Sequence, residues 1–141
     1  MIVLFWLVFR IPLPALTALP LITASLLLAW LVGFGWRFLV NLAAFWSPNA
    51  LGIGRIAFGL SWVLSGFYIP LPFFPDWFQQ LCALTPFPAM VNTPVLVYLS
   101  QLPPADFATA LGLQIIWAIV LLILGQLILR AGVQRLVIQG G

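Results

Sequence analysis

The sequence FATALGLQIIWAIVLLILGQLIL, residues 107–129, contains no charged side chain. A helix must present about 20 predominantly apolar residues to cross a hydrocarbon core about 30 Å thick. Asp106 precedes this stretch and Arg130 follows it. Both charges stand where the helix dipole favours them, the acid at the amino end and the base at the carboxyl end. The stretch therefore predicts a transmembrane helix over 107–129.

The rest of the chain has the same apolar character. Of its 141 residues, 65% are hydrophobic, 15% are aromatic and only 5% are charged. Soluble globular domains carry about 25% charged residues. The composition therefore predicts an all-α integral membrane protein that forms a single membrane domain over residues 1–141.

The same composition excludes several functions. The chain has five Arg, two Asp, one Cys and no His, so it cannot supply a His-based triad or an ordinary zinc site. We therefore expect no catalytic, cofactor-binding or metal-binding residue and no enzyme activity in this chain. An intramembrane enzyme would need Asp76 and Asp106 in one cavity. The Arg residues are scattered singly, which argues against nucleic-acid binding and is typical of membrane orientation signals.

Two further stretches predict full spans. The uncharged run at 15–35 is long enough to cross, and Arg37 after it predicts the end of that helix. Residues 50–69 follow as a second candidate. Within the latter, Ser61 and Ser65 fall on one helix face, which indicates a packing face for a neighbouring helix, with a substrate contact as the alternative. Residues 1–13 end in a proline-containing sequence and predict only a partial span.

The charges predict an orientation. Residues 36–49 are mixed in polarity and predict an interfacial connection, with Trp36 and Trp46 at headgroup depth. The positive-inside rule assigns this connection and the tail 130–141 to the cytoplasm. The segment 70–106 is then external.

The segment 70–106 is apolar but interrupted by prolines at 70, 72, 75, 86, 88, 94, 103 and 104. Prolines at this spacing do not permit a helix of spanning length. Irregular backbone within a membrane must be shielded by protein or line a cavity. The segment therefore predicts a re-entrant pair of short helices, at 76–84 and 88–99, with Asp76 as a cap of the first.

Three single side chains have specific expectations. Gln114 and Gln126 lie within the predicted span 107–129 and about 120° apart around it, so they do not form one polar stripe. Each is expected to hydrogen-bond a neighbouring helix rather than a transported ligand. Cys82, the only thiol, is expected to react with an external impermeant reagent unless its helix buries it.

Several segments, taken in order, carry a resemblance to a known family. They are AFW (44–46), LSGFYIPLPFFPDWFQQL (64–81), TPFPAMVNTPVLVYL (85–99), LQIIWAIVLLILG (113–125) and VIQGG (137–141). Their order and spacing resemble the C-terminal half of type-2 permease subunits of ATP-binding-cassette (ABC) export transporters. The likeness is good over residues 40–141 and loose before them.

The resemblance implies positions for the spans and for the family motif. Residues 15–35, 50–69 and 107–129 are similar to the fourth, fifth and sixth helices of such permeases, and the proline-rich segment is similar to their external re-entrant pair. The motif residues have structural rather than catalytic roles, and no substrate-binding residue is assigned. They are Phe45, Trp46, Gly66, Pro70, Pro72, Phe74, Pro75, Pro86, Phe87, Pro94, Gly140 and Gly141.

The resemblance also implies partners. It predicts a multi-pass permease subunit in a bacterial cytoplasmic membrane that exports its substrate by alternating access. An ABC ATPase subunit would bind ATP and Mg²⁺, a second permease subunit would complete a homo- or heterodimer, and lipid would surround both. Complete members are about twice as long, so a split or truncated permease is expected. The alternative is a non-transporting accessory protein or a remnant fragment of a permease.

Overall fold

A computed structural model describes residues 14–139, with the side chains of 104 and 135–139 excepted. Helices α1 (Leu19–Leu42), α2 (Ala50–Leu64), α3 (Asp76–Ala83), α4 (Asn92–Tyr98) and α5 (Pro104–Gln139) follow one another along the chain. Short 3₁₀ turns occur at Leu16–Ala18, Ala43–Phe45, Leu71–Phe73 and Pro88–Met90. This part of the chain contains no strand, so the all-α fold class is confirmed. The predicted partial span 1–13 lies outside the described residues.

Helix α1 is longer than the predicted span 15–35. With the 3₁₀ turns at its two ends it forms a continuous apolar helix over Leu16–Phe45. The helix continues past Arg37, where the sequence predicted its end. A single exposed Arg does not interrupt the backbone hydrogen bonds, and the first strong helix-breaking residue is Pro48. Trp36 therefore belongs to a helix rather than to the predicted connection 36–49.

Helix α5 contains the predicted span 107–129 and extends beyond it at both ends. Its 36 residues correspond to a length of about 54 Å, which exceeds a hydrocarbon core of about 30 Å. The helix begins at Pro104 and continues to Gln139, so the described part of the predicted tail 130–141 is a helical extension of α5.

Helix α2 is shorter than the predicted span 50–69. It has 15 residues, about 22 Å, and ends at Leu64. Gly66 follows with a φ of +80°, a conformation that ends helices, and its N–H donates to the Val63 carbonyl at 3.2 Å. The described residues contain two helices long and apolar enough to cross a membrane, α1 and α5 with their flanking turns. The prediction of three full spans is therefore not confirmed.

Helices α1 and α5 pack closely side by side. A Cβ atom built at Gly35 of α1 would lie 2.8 Å from Leu121 Cβ, and one built at Gly125 of α5 would lie 2.8 Å from Phe38 Cδ1. One built at Gly132 would lie 2.7 Å from the Phe45 ring. Residues that come later in α1 contact residues that come later in α5, so the two helices run parallel. Small residues permit this approach, as they do between helices in membranes.

The two long helices expose their apolar surface. Only 22% of the most apolar stretch of α1 and 17% of that of α5 are buried, whereas the core helix of a soluble protein is mostly buried. Polar Ser25 and Gln114 are fully buried between them, while Trp30 and Ile116 are more than half exposed. Apolar residues outside and polar residues inside suit a lipid solvent.

Candidate functional site

The chain between α2 and α5 folds around its own small core. Leu64, Leu71, Cys82 and Phe87 form a buried cluster, and Phe74 packs against it. These residues come from the end of α2, the 3₁₀ turn at 71–73, helix α3 and the following loop. The cluster therefore folds the proline-rich segment back on itself, although none of its helices exceeds 8 residues.

Gly66 makes the first turn of this segment possible. Phe67 N–H donates to the Trp62 carbonyl at 3.1 Å, and with the bond from Gly66 this completes a Schellman motif at the end of α2. An added Cβ at Gly66 would lie 3.2 Å from Leu71 Cγ, and the positive φ disfavours any side chain there. Glycine is required at this position both by its backbone conformation and by its contact with Leu71.

The motif prolines divide into an exposed and a buried group. Pro70 and Pro75 stand directly before the turn at 71–73 and before α3, where their fixed φ suits helix entry. Both are exposed, as is Pro72, whereas Pro86 and Pro94 are buried. The exposed group therefore shapes the backbone, and the buried group is in addition removed from solvent.

The short helices agree with the sequence expectation. Predicted helix 76–84 is α3, and predicted helix 88–99 is the turn at Pro88–Met90 followed by α4. Asp76 is the first residue of α3, while Pro75 occupies the cap position and no side-chain cap bond forms there. Asp76 thus lies in the first turn, where the helix dipole favours a carboxylate, but it is not the cap.

Aromatic contacts join the segment to α1. The ring of Phe87, which is 7% exposed, meets the Trp36 ring edge to face with centroids 5.0 Å apart. Phe74 packs on Phe78 with centroids 4.6 Å apart. Trp36 was expected at headgroup depth, but it packs inward against Phe87 because α1 continues through its position.

Gln114 hydrogen-bonds to two separate parts of the chain. Its Nε2 donates to the Ala89 carbonyl at 2.8 Å and to the Ser25 carbonyl at 3.2 Å. Its Oε1 accepts from the Ser25 hydroxyl at 3.0 Å, and both side chains are fully buried. One amide thus connects α5, α1 and the turn at 88–90. The expectation that Gln114 hydrogen-bonds a neighbouring helix is confirmed.

Gln126 lies on another face of the same helix. It is exposed and lies in a shallow depression with Leu122, Ile123, Leu127 and Arg130. No side-chain hydrogen bond is found for it among the described residues. The expected hydrogen bond between Gln126 and a neighbouring helix is therefore not found within this part of the chain.

A cleft of about 600 Å³ lies between α1 and α2 and reaches the start of α4. On α1 it is lined by a stripe spaced as one helix face, formed by Trp30, Phe34, Arg37 and Asn41. The stripe changes from aromatic to polar along the helix. The far wall includes Ser61 and Ser65, whose hydroxyls donate to the carbonyls of Phe58 and Trp62, respectively.

Sequence reasoning assigned Ser61 and Ser65 to a packing face but overlooked the cleft that they line. The signal was present in the spacing of residues 30, 34, 37 and 41 on one side of α1. It was not used because Arg37 was interpreted as the end of the helix.

Trp36 also lines the cleft, and its indole Nε1 is buried with no hydrogen-bond partner among the described residues. Buried polar groups are usually paired, because an unpaired donor loses its hydration without compensation. Trp36 Nε1 is therefore an unsatisfied donor beside a cleft.

The remaining motif residues lie at the other end of α1 or outside the described part. Phe45 ends the turn at 43–45 and packs on Gly132 of α5, while Trp46 is exposed and meets Phe45 edge to face. Gly140 and Gly141 lie outside the described residues.

Cys82 is fully buried in the core of the proline-rich segment. Burial raises the pKa of its thiol, because the thiolate is poorly solvated there. External labelling was expected unless the helix buries the thiol, and the structure shows that it does. Among residues 14–139, no group of three or more His, Cys, Asp or Glu side chains is placed to hold a metal ion.

Comparison with known proteins identifies a family. The search of curated proteins and the search of solved structures each give no match. A family model described as ABC-2 family transporter protein matches residues 1–140, nearly the whole chain. The match agrees with the apolar, mutually packed helices and with the resemblance carried by the motif residues. The chain belongs to the ABC-2 family of transporter proteins.

Proposed function

We propose that this chain is a permease subunit of an ABC transporter that exports its substrate across the bacterial cytoplasmic membrane. The observation that carries the proposal is the family match over residues 1–140. The parallel helices α1 and α5, with apolar exteriors and the buried Gln114–Ser25 contact, support a membrane-spanning role. The transport mechanism is alternating access driven by ATP hydrolysis in a separate subunit.

The proline-rich segment, residues 70–106, is proposed as the external re-entrant region. Its short helices α3 and α4 are too short to cross a bilayer, and apolar residues of α3, of the turn at 71–73 and of the loop after α3 enclose a core with the end of α2. Gln114 holds the turn at 88–90 against both long helices. A segment attached in this way would close the external end of the pathway and move with α1 and α5.

The motif residues of this segment are proposed as structural determinants of that closure. Gly66 reverses the chain after α2, and Pro70, Pro72 and Pro75 shape the entry into α3. Phe87 belongs to the buried core and Phe74 borders it, while Pro86 and Pro94 are buried. Their role is to hold the segment in one conformation rather than to contact substrate.

The opposite end is proposed to face the ATPase. The turn at 43–45, the loop before α2 and the extension of α5 lie together there, since Phe45 packs on Gly132. No G-x-x-x-x-G-K-[ST] sequence occurs in the 141 residues, so this chain carries no P-loop of its own for ATP. The close packing of Phe38 on Gly125 would transmit displacement along α1 and α5 as one unit.

The proposal is tested by affinity purification of the tagged full chain from native membranes in mild detergent. The expected result is recovery of a P-loop ATPase and a second permease subunit, with ATP hydrolysis that depends on the complex. An unrelated multi-pass protein with the same tag is the control. Recovery of neither partner would contradict the proposal.

Residual export distinguishes the accessory alternative. If the chain is a permease subunit, deletion of its gene should abolish export of the substrate, and re-expression should restore it. An unchanged export rate, while the chain still binds an intact permease, would instead establish a non-transporting accessory protein.

A further inference from the structure

The cleft between α1 and α2 changes in chemistry along its length. Leu26, Trp30 and Phe34 line its apolar part, and Arg37 and Asn41 line its polar part. Leu26 and Arg37 are separated by about 16 Å along the helix axis. Among the described residues that line the cleft, none is acidic, and Arg37 is the single charged one. Polar and apolar parts in this order match the head and tail of an amphiphile.

Two donors lie at the same height on α1. Trp36 and Arg37 differ by about 1.5 Å along the axis, and both line the cleft. The Trp36 Nε1 group is buried without an acceptor in the described part of the chain, and the Arg37 guanidinium has donors only. The buried Nε1 is closed to an occupant of the cleft, so the exposed guanidinium of Arg37 is the group that selects the occupant, and it requires oxygen acceptors and negative charge.

We propose that this cleft binds an anionic phospholipid from the surrounding bilayer. The phosphate lies against Arg37, and one acyl chain lies along Trp30, Phe34 and Trp62. Basic pockets between membrane helices bind acidic headgroups, and guanidinium–phosphate bonds are charge-assisted. The proposal depends on the membrane location of the chain and not on its transport activity.

The aromatic wall suits an acyl chain. Trp30 and Phe34 stack with centroids 6.0 Å apart, and Trp62 faces the same cleft from α2. Trp30 is 67% exposed and Trp62 is 44% exposed, so both are accessible to a bound chain. Trp46 and Trp77 are exposed as well, so the quenching due to the cleft is the part that is lost in the double variant Trp30→Phe, Trp62→Phe.

The test uses the purified full chain in micelles of a neutral detergent. It is titrated with phosphatidylglycerol or with phosphatidylcholine, each brominated on the acyl chain, and quenching of tryptophan fluorescence is measured. One well-placed cation near a membrane surface corresponds to about a fivefold preference for acidic lipid. We expect phosphatidylglycerol to reach half-maximal quenching at about one fifth of the phosphatidylcholine concentration.

Substitutions assign the preference to the cleft. Arg37→Gln should remove the difference between the two lipids, and Arg37→Lys should retain most of it. Arg55→Gln is the matched control, because Arg55 has the same charge, is exposed and does not line the cleft. It should leave the difference unchanged.

Three results would overturn the proposal. Equal quenching by the two lipids would exclude an anion site. If Arg37→Gln and Arg55→Gln reduced the preference for phosphatidylglycerol equally, the lipid would be attracted by net charge rather than by the cleft. Quenching that is unchanged in the double variant Trp30→Phe, Trp62→Phe, in a particle of dimeric mass, would show that a second copy covers the cleft instead. An unchanged thermal midpoint of Arg37→Gln confirms that the variant is folded.

Discussion

Two regions of the molecule satisfy their backbone polar groups in different ways. One is the helix pair α1 and α5, and the other is the proline-rich segment between α2 and α5. The long helices satisfy their backbone within each helix and approach each other at glycines such as Gly35 and Gly125. The segment breaks its backbone repeatedly and depends on turns, buried prolines and the amide of Gln114. The difference teaches that packing geometry stabilises the first region, whereas specific hydrogen bonds and backbone conformations stabilise the second.

The largest expected effect is on the helix pair. Gly35→Ala places a Cβ at 2.8 Å from Leu121 Cβ, so the helices must separate. Overpacking of this kind costs about 1–3 kcal/mol, and we expect a value near the upper end because both atoms are close to the backbone. Thermal unfolding in detergent, followed by tryptophan fluorescence, measures the loss.

Gly33→Ala is the control for that substitution. It lies on the same helix, and nothing stands within 4 Å of a Cβ built there. Its midpoint should be unchanged or raised, because alanine favours a helix over glycine. Equal destabilisation by the two variants would contradict the close approach of α1 and α5.

The second effect is on the connection between the two regions. Gln114→Leu removes the hydrogen bonds to Ser25 and Ala89 and leaves the Ala89 carbonyl without this donor. We expect a loss of about 2 kcal/mol of unfolding free energy, typical of buried polar groups that lose their partners. Gln126→Leu changes an exposed amide on the same helix and should have no such effect. A similar shift in both variants would show that the amide of Gln114 has no special role.

A smaller effect is expected at the first turn of the segment. Gly66→Ala forces a side chain into a φ of +80°, which costs about 1–2 kcal/mol for a residue other than glycine. Gly59→Ala, inside α2 with open space around it, should be neutral or stabilising. The comparison of their thermal midpoints isolates the backbone conformation from helix propensity. A midpoint of Gly66→Ala equal to that of the unsubstituted chain would contradict the Schellman turn.

The smallest effect concerns the end of α4. Ser100 has a φ of 53°, and Gln101 N–H donates to the Leu96 carbonyl at 3.0 Å in a second Schellman turn. Ser100→Gly should relieve the strained conformation and stabilise the protein by less than about 1 kcal/mol, because glycine also gains freedom in the unfolded state. A lower midpoint for this variant would contradict the assignment.

The sequence was sufficient for the features that depend on composition and spacing. The uncharged stretch 107–129 predicted most of α5, and the prolines predicted two short helices near their observed positions. The role of Gln114 followed from the cost of an unpaired amide in an apolar environment. These inferences need only local sequence and the properties of lipid.

Other features depend on tertiary contacts that a single sequence does not display. Helix α2 ends at Leu64 because Gly66 adopts a left-handed conformation. Apolar residues follow Leu64, so the sequence predicted that the helix continued to residue 69. Arg37 was interpreted as a helix boundary, whereas it lines a cleft on a continuing helix. The burial of Cys82 follows from the folding of three elements around it.

The central claim is that Gln114 holds the proline-rich segment against both long helices. Cys82 tests it most directly, since it is the only thiol and is fully buried in that segment. The measurement is the rate of reaction with a membrane-impermeant maleimide at fixed pH, in the unsubstituted chain, Gln114→Leu and Gln126→Leu. We predict a rate about tenfold higher for Gln114→Leu alone, the factor that corresponds to about 1.4 kcal/mol of easier local opening. Equal rates in all three proteins would contradict the claim.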